Sequence, residues 1–409
     1  MATVLTPAPP LVDLPDPQEW PPELRLLLGD EARGLLTAVA DAAGGRLSSW
    51  APRQVTHQPD RSTVVQYRAD LARSDGTVAT ETIVAATGDR IPPGAAVLDD
   101  GTTKVGVWRW PFDPSLPGLQ DALDRDHVGS LLDDLGIDGG TVGLRVRAYR
   151  PGRRAVIEAT GRRGRLFLKI VRTNKVEELH RTHRELATHL PVPDSLGWTT
   201  NGILVMPGLA GDTLREVLRS GRLAVPAPAA LDAMLDRLPD VLAGGPPRRS
   251  LVGSASHHGG VIASALPVLG EQVDDLVGDL QRRPLAEHDT VPVHGDFYEA
   301  QLLVRSGRVA GLLDVDTAGA GERIEDIANM LGHLSVLAVA TDRPKPVKRY
   351  GAALLAQAEQ RFDRDDLRVR VAAAVVGLAT GPFRVLEARW PQATARRLEL
   401  ARAWLDGSA

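Results

Sequence analysis

The chain has 409 residues, of which 43% are hydrophobic and 24% charged, a composition typical of a globular protein with two or three domains. Its formal net charge of −4 argues against a generally basic nucleic-acid-binding protein, and the lack of cysteine excludes disulfides, thiolate metal sites and cysteine nucleophiles. No stretch reaches the ~18 consecutive apolar residues of a membrane helix and the N-terminus lacks a signal-peptide pattern, so we expect a cytoplasmic protein that binds neither membranes nor nucleic acid.

The first third of the chain predicts a small α+β unit. Residues 1–22 are rich in proline, which predicts a disordered or strap-like tail. Apolar residues at helical spacing over 24–43 predict a helix, and alternating runs separated by turn signals predict an antiparallel sheet up to residue 117. A connecting helix is expected over 119–135. We therefore assign residues 23–135 to an N-terminal cap and its connecting helix.

The remaining sequence predicts a larger unit with two lobes. From about residue 142, three short strands precede a helical stretch, KVEELHRTHRELATHL, and then a further strand, GILVMPG. A mostly helical remainder follows. This element order is typical of an α+β, bilobal protein-kinase-like fold. The predicted boundaries are residues 136–208 for the N-lobe and 209–409 for the C-lobe.

The two predicted sheets resemble each other weakly in sequence. Residues 58–88 and 149–175 share strand alternation and the positions of turns. Two unrelated meanders explain this likeness as well as a duplicated lobe does. The first segment has no lysine at the position of Lys169 in the second. A duplicated lobe would therefore not be catalytic.

The strongest functional signal is the segment VPVHGDFYEAQLLVRSGRVAGLLDVDTAG. Asp296 lies on a tight turn, with Gln301 five residues and Asp314 eighteen residues after it. A kinase catalytic loop needs one carboxylate to accept the acceptor's proton, an amide oxygen for Mg²⁺ and a second carboxylate that holds the metal against the phosphates. We expect His294, which precedes the turn, to brace the loop by hydrogen bonds rather than transfer protons.

The His-Gly-Asp turn and the Asp-Val-Asp strand end resemble the aminoglycoside phosphotransferase and choline kinase group of small-molecule kinases. The resemblance extends over about residues 140–405. Gln301, where most of the group has Asn, and the N-terminal cap are similar to the maltokinase branch, a group of capped sugar kinases. The resemblance implies a kinase-like fold, a small-molecule acceptor, Mg²⁺ and ATP as the donor, although the residues do not distinguish ATP from GTP.

The resemblance also implies roles for individual residues. Asp296 would be the catalytic base, and Gln301 and Asp314 would bind the metal. Lys169, in LFLKIV, would pair with the phosphates, with Glu185 on the first helix as its partner. The other implied residues are those that would border the adenine (Val205, Met206 and Pro207), bind the metal in addition (Asp316) and order the catalytic loop (Asp326).

Several acidic residues follow the catalytic loop and give the acceptor side an acidic character. This character suits a cationic or polyhydroxyl substrate, and solvated surface is the alternative interpretation. The residues concerned are Glu299, Asp316, Glu322 and Glu325.

Histidines outside the catalytic loop are expected on the surface. His180, His183 and His189 are spaced along one helix without forming a metal-binding face, which favours a solvated helix surface. His257 and His258 are expected in a flexible surface loop.

The sequence thus predicts an ATP-dependent phosphotransferase that moves the γ-phosphate to a hydroxyl group of a small molecule. A sugar, amino sugar or aminoglycoside-like acceptor fits best. One alternative is an antibiotic-inactivating kinase with the same chemistry. Another is a nucleotide-binding pseudokinase with an interaction module, against which the intact Lys169, Glu185, Asp296 and Asp314 argue.

Overall fold

The computed structural model describes residues 12–99, 101–138, 140–162 and 164–408. Within them, the chain folds into an N-terminal cap, a sheet-rich N-lobe and a helical C-lobe. In these described ranges no helix is both long and apolar enough to span a membrane.

The cap consists of two short helices and a five-stranded antiparallel sheet with strand order β1-β2-β3-β5-β4. The helix predicted over residues 24–43 is divided at Gly29, where the backbone is extended and a Cβ atom would lie 2.6 Å from the Arg25 carbonyl oxygen. The cap elements are α1 (Pro22–Leu28), α2 (Ala32–Ala42), β1 (Gly45–Gln58), β2 (Ser62–Arg73), β3 (Val78–Thr87), β4 (Ala96–Asp99) and β5 (Lys104–Arg109).

The connecting helix α3 (Arg125–Asp134) is shorter than predicted. It begins after Asp124, whose carboxylate accepts hydrogen bonds from the backbone N–H groups of Asp126 and His127. Two short 3₁₀ turns, Pro117–Leu119 and Asp121–Leu123, occupy the rest of the predicted span. The helix packs against the N-lobe sheet.

The N-lobe follows the predicted order of three strands, a helix and further strand. Its antiparallel sheet has the order β6-β7-β8-β10-β9. Gly152, with φ of 64°, allows the tight β6–β7 turn. The N-lobe elements are β6 (Gly143–Arg150), β7 (Arg154–Gly161), β8 (Gly164–Val171), α4 (Thr173–Ala187), β9 (Gly197–Trp198) and β10 (Ile203–Pro207).

The C-lobe is mostly helical, with five short strands. His257 and His258 lie in α7 rather than in the predicted loop, because Ser250 caps a helix that packs its small residues on α11. The C-lobe helices are α5 (Leu214–Ser220), α6 (Pro228–Leu235), α7 (Leu251–Ala265), α8 (Gly270–Arg282), α9 (Arg323–Ala340), α10 (Pro344–Ala358), α11 (Arg364–Ala379), α12 (Gly381–Arg384) and α13 (Trp390–Leu405). Its strands are β11 (Asp212–Thr213), β12 (Thr290–Val293), β13 (Leu302–Arg305), β14 (Arg308–Leu312) and β15 (Gly319–Glu322).

The cap and the C-lobe share one apolar core, to which α4 contributes Leu186, whereas the N-lobe sheet has its own core. Leu36 and Tyr67 of the cap belong to the same buried cluster as Leu276 and Val371 of the C-lobe. Leu168 of the N-lobe belongs to a separate cluster with α3. The antiparallel sheets, kinase-like N-lobe and helical C-lobe confirm the predicted fold class.

The segment before α1 lies along the C-lobe. Trp20 Nε1 donates to the Ala265 carbonyl oxygen at 3.0 Å. The Val12 carbonyl oxygen accepts from Gln392 Nε2 at 2.6 Å. Residues 12–21 therefore form a strap, and residues 1–11 of the predicted tail lie outside the described residues.

The cap also holds the β6–β7 turn of the N-lobe. Asp113 accepts hydrogen bonds from Tyr149 Oη at 2.9 Å and from the Gly152 N–H at 2.7 Å. Trp108 Nε1 donates to the same tyrosine oxygen at 3.1 Å. The turn that faces the catalytic centre is thus positioned by cap residues.

Candidate active site

The catalytic loop between β12 and β13 is fixed by hydrogen bonds to its backbone. The N–H groups of His294 and Gly295 donate to the two carboxylate oxygens of Asp326 at 2.7 and 2.8 Å. His294 Nε2 lies 2.9 Å from the Leu313 carbonyl oxygen. Gly295 has φ of 77°, and a Cβ atom there would lie 2.5 Å from the Thr317 carbonyl oxygen. The loop thereby presents Asp296 from a rigid support.

Asp314 stands at the end of β14 in the left-handed region, with φ of 54°. A non-glycine residue in this region is uncommon, and such residues often occur at functional sites. Its carboxylate accepts two hydrogen bonds from Arg154, at 2.9 and 3.1 Å. This bidentate pairing fixes the carboxylate plane beside the N-lobe.

Lys169 lies inside the N-lobe sheet and points its amine at two carboxylates. It is paired with Val156 on β7 and Leu204 on β10 and is only 5% exposed. Its Nζ is 3.2 Å from Asp314 Oδ1 and 2.5 Å from Asp316 Oδ1. The sequence predicts Lys169, Asp314 and Asp316 at one phosphate and metal site, and the structure brings the three side chains into contact.

The carboxylates of this centre titrate differently because their neighbours differ. Burial alone would raise the pKa of Asp316, but His183 and Lys169 hold it well below its usual range. Asp314 likewise has a lowered pKa, because Lys169 and Arg154 outweigh its burial. Burial raises the pKa of Asp296, and nearby Asp314 raises it further. A raised pKa suits a group that accepts a proton.

Gln301 lies next to Asp314, as predicted. Its Nε2 is 3.4 Å from Asp314 Oδ2, and its backbone oxygen accepts from the Leu313 N–H at 2.8 Å. Carboxylate and amide oxygens are the donors that Mg²⁺ prefers. Asp314, Asp316 and Gln301 therefore fit a magnesium ion by their chemistry, although the described residues hold no cluster of three or more carboxylates or histidines with metal-site geometry.

The predicted pair between Lys169 and Glu185 is replaced by other contacts. Glu185 projects from the exposed side of α4, where its carboxylate lies 3.4 Å from His189 Nε2. The buried side of the same helix carries His183 instead, with Nδ1 2.7 Å from the Pro193 carbonyl oxygen and Nε2 3.9 Å from Asp316 Oδ1. The helix is rotated relative to the expectation.

The expectation of a solvated His183 is therefore wrong. His183 is 2% exposed. Val176, His183 and Leu186 form the buried side of α4, a helical spacing that the sequence already contained. His180 is also bound, with Nδ1 2.8 Å from Ser195 Oγ.

Two of the predicted acceptor-side carboxylates are neutralised by arginines. Glu299 is buried, and Arg215 Nε donates to it at 2.7 Å. Burial raises the pKa of Glu299. Glu322 lies 2.5 Å from Arg370, which also binds Glu325. Glu322 and Glu325 nevertheless line a C-lobe cavity that also contains Asp296, so acidic residues remain on that side, with Arg370 as their counter-ion.

The predicted linker residues lie on β10, where the N-lobe joins the C-lobe. Val205 and Met206 are buried and pair with Leu168 and Phe167 of β8. Pro207 ends the strand, and the N–H of the following Gly208 donates to the Arg165 carbonyl oxygen at 2.8 Å. The three residues thus line up at the junction of the lobes.

A cavity of about 240 Å³ adjoins Asp296 in the C-lobe. Asn329 and Arg249 contribute to its lining. Asn329 Nδ2 also donates to the Phe297 carbonyl oxygen at 3.1 Å, which ties the cavity wall to the catalytic loop. A small molecule bound here would lie beside the Asp296 carboxylate.

Sequence reasoning missed Arg154, the residue that pairs with Asp314. It opens β7 directly after the β6–β7 turn, YRPGRR, which has one glycine and three arginines. The concentration of arginine in this turn was the available signal.

A comparison of the sequence with protein families identifies the group to which the chain belongs. Residues 146–369, more than half of the chain, match the phosphotransferase enzyme family. This chain belongs to that family. No curated protein matches the chain.

Solved structures of this phosphotransferase group have the same fold. A thermostable mutant of aminoglycoside phosphotransferase APH(4)-Ia is similar with a TM-score of 0.50 at 13% identity, over 70% of this chain and 99% of the other. Macrolide 2'-phosphotransferase MphH from Brachybacterium faecium is 21% identical over 69% of this chain and 98% of the other, with a TM-score of 0.43. At these identities the first likeness supports the fold alone.

Proposed function

We propose that the protein is an ATP-dependent kinase that moves the γ-phosphate to a hydroxyl group of a small molecule. The observation that carries this proposal is the convergence of Lys169, Asp314 and Asp316 between the lobes, with Asp296 beside them. Residues from β8, from the end of β14 and from the catalytic loop meet only when both lobes are assembled. Membership of the phosphotransferase family supports the same reaction class.

The nucleotide would bind between the lobes against β10. Val205, Met206 and Pro207 would border the base, and Lys169 would neutralise the phosphates. Arg154 is a second cation close to the same place. GTP is the alternative donor. Hydrogen bonds to the base would distinguish GTP from ATP.

Mg²⁺ would be held by Asp314, Asp316 and Gln301, and would supply charge neutralisation for the phosphates. Lys169 and Arg154 neutralise these carboxylates in the structure. Both cations are long side chains, so they can turn from the carboxylates to a triphosphate that carries more negative charge. The protein thereby keeps the carboxylates oriented before the nucleotide binds.

Asp296 would orient the acceptor hydroxyl and accept its proton. Its backbone is held by the loop bonds to Asp326, and its raised pKa favours proton acceptance over permanent ionisation. We propose a sugar, an amino sugar or an aminoglycoside-like molecule as the acceptor. The similar APH(4)-Ia structure is a ternary complex with AMP-PNP and hygromycin B, so hygromycin B belongs among the acceptors to test.

The test measures transfer of labelled γ-phosphate from ATP to sugars, amino sugars and aminoglycosides. Asp296→Asn is expected to lower the rate between about 100-fold and 10,000-fold, the range for loss of a general base. Asp289→Asn is the matched control, because Asp289 is exposed just before the loop. Equal transfer by the wild-type protein and Asp296→Asn would overturn the proposal and favour a pseudokinase. Transfer only to aminoglycosides would favour an antibiotic-inactivating enzyme.

A further inference from the structure

A cleft of about 200 Å³ lies where the cap, the β6–β7 turn and the C-lobe meet. Its walls come from β1, from the turn itself and from α7 and α12. Four arginines from the cap, the β6–β7 turn and the C-lobe line this cleft, and we call it the arginine cleft. They are Arg90, Arg150, Arg153 and Arg384.

These four cations lack close anionic partners, although Asp314 partly offsets the lowering of the Arg150 pKa by burial. Among the residues that the structure describes, none of the four guanidinium groups forms an ion pair within 4.0 Å or a side-chain hydrogen bond. Burial lowers the pKa of Arg150, and the charges of Arg154 and Arg384 lower it further. Like charges held together are unfavourable, and a bound anion would remove this repulsion.

His57 supplies a second, independent observation. It lines the same cleft and is 7% exposed. Its Nδ1 lies 2.8 Å from Thr63 Oγ1, while its Nε2 is buried without a hydrogen-bond partner in the described part of the chain. Burial lowers the pKa of His57 to about 4, so the ring is neutral near pH 7. When the Thr63 hydroxyl donates to Nδ1, Nε2 carries a proton that is free to donate.

We propose that the arginine cleft is a binding site for an oxyanion, a phosphate or carboxylate group, separate from the nucleotide site. Guanidinium groups match the geometry of both groups through paired N–H donors. The cleft gathers donors from the cap, the N-lobe and the C-lobe, so the site is complete only in the assembled protein.

The lining of the cleft includes none of the residues assigned to the nucleotide or its metal. Arg154, which follows the turn, binds Asp314 on the nucleotide side. Arg90 and His57 come from the cap, and Arg384 comes from α12 near the C-terminus. Burial and Asp314 raise the pKa of Asp296, and Arg150 partly offsets them, so one end of the cleft lies near the catalytic carboxylate.

The ligand has two sources with the same chemistry. It is either a free oxyanion or an anionic group on the acceptor itself. The cationic lining of this cleft contrasts with the C-lobe cavity beside Asp296, which Glu322 and Glu325 line. An acidic sugar or a sugar phosphate would place its charge among the arginines and its hydroxyl groups towards Asp296. This second source rests on the proposed kinase function, whereas the anion site itself does not.

Isothermal titration of the full chain tests the site. Inorganic phosphate, gluconate and glucose 6-phosphate are titrated with Mg²⁺ and saturating AMP-PNP, so that the nucleotide site is filled. We expect all three to bind the wild-type protein, and Arg384→Gln to weaken them by about tenfold, as for loss of one charge-assisted contact. Arg396→Gln is the matched control, since Arg396 is an exposed arginine on α13 outside the cleft.

Each outcome decides the proposal. Tighter binding of glucose 6-phosphate or gluconate than of phosphate supports the site and assigns it to the acceptor, while equal affinities support a free oxyanion. No binding of any probe, or equal weakening by both variants, overturns the site. A loss of AMP-PNP affinity in Arg384→Gln that matches the loss of phosphate affinity also overturns it, because the arginines would then serve the nucleotide. Failure of AMP-PNP to bind the wild-type protein contradicts the kinase function, and titration without nucleotide still decides the cleft.

Discussion

The cap and the N-lobe are built on sheets of the same order, yet only one of them carries chemistry. Each is a five-stranded antiparallel sheet in which the third strand pairs with the fifth and the fourth is at the edge. The third strand of the N-lobe, β8, buries Lys169 against Asp314 and Asp316. The third strand of the cap, β3, buries only apolar side chains and a threonine, from Ile83 to Thr87.

The difference lies in what each sheet faces. The N-lobe sheet faces the end of β14, where the carboxylates of Asp314 and Asp316 offset the free-energy cost of burying Lys169. The cap sheet packs Ile83 and Ala85 into the core that it shares with the C-lobe. A buried cation there would have no partner and would cost several kcal/mol, on the order of the penalty for an uncompensated charge. Strand order alone therefore does not decide function.

Replacing one lysine in each sheet is expected to give the largest difference in phosphate-transfer rate. Lys169→Met is expected to lower phosphate transfer by about 100-fold to 1,000-fold, because an electrostatic contact to the phosphates is lost. Lys104→Met is the control in the cap sheet, where Lys104 is 70% exposed and 3.4 Å from Asp99. A steady-state assay compares the two, and thermal unfolding checks that both variants fold. A similar loss in both would remove the distinction between the sheets.

The pH dependence of the rate gives the next largest expected effect and tests the role of Asp296. Because the pKa of Asp296 is raised, Asp296 becomes protonated at a higher pH than an ordinary aspartate and ceases to act as a base. We expect kcat/KM for the acceptor to fall about tenfold per pH unit below that pKa. The lowered pKa values of Asp314 and Asp316 keep them ionised in this range. A steeper fall, or a rate independent of pH, would contradict the assignment of the base.

Removing the hydrogen bonds between Asp113 of the cap and the β6–β7 turn is expected to have a moderate effect. Asp113→Ala leaves Tyr149 Oη and the Gly152 N–H without their acceptor, which is expected to cost about 1–3 kcal/mol of unfolding free energy. We also expect KM for ATP to rise several-fold, since the turn is released. Denaturant unfolding and steady-state kinetics measure the two effects. Asp70→Ala is the control, because Asp70 is a half-buried cap residue whose partners, Ser49, Arg68 and Thr80, all lie in its own sheet. An unchanged KM would show that the cap does not position the turn.

The smallest effect is expected on α4. Glu185→Ala is expected to change the rate by less than about twofold, because exposed ion pairs contribute little. His183→Ala, on the buried side, is expected to lower both stability and rate, because it removes the contact to Pro193 and the neighbour of Asp316. A loss of more than tenfold in Glu185→Ala would restore the pairing that the family resemblance implies.

The sequence was sufficient for the element order and for the catalytic loop. Spacing within one short segment brings Asp296, Gln301 and Asp314 together, because a hairpin of fixed length separates them. It was insufficient where the partner comes from a distant element. The rotation of α4 decides between Glu185 and His183, and a shift of two residues reverses the choice.

The acceptor side could not be predicted for a similar reason. The sequence predicts Glu299 and Glu322 on an acidic acceptor side, but their arginine partners, Arg215 and Arg370, stand far along the chain. The arginine cleft likewise combines residues from the cap, the turn and α12. Such sets depend on how the three parts pack, which local patterns do not contain.

The core shared by the cap and the C-lobe constrains how the N-lobe sheet can move. Close-packed interiors resist deformation, so these two parts behave as one rigid body. Opening between the lobes would therefore displace the N-lobe sheet, which has a separate core, while α4 contributes Leu186 to the shared one. Each opening would break the two hydrogen bonds that Asp113 accepts from the N-lobe, and each closure would remake them. The cap thus restrains the β6–β7 turn through the carboxylate of Asp113.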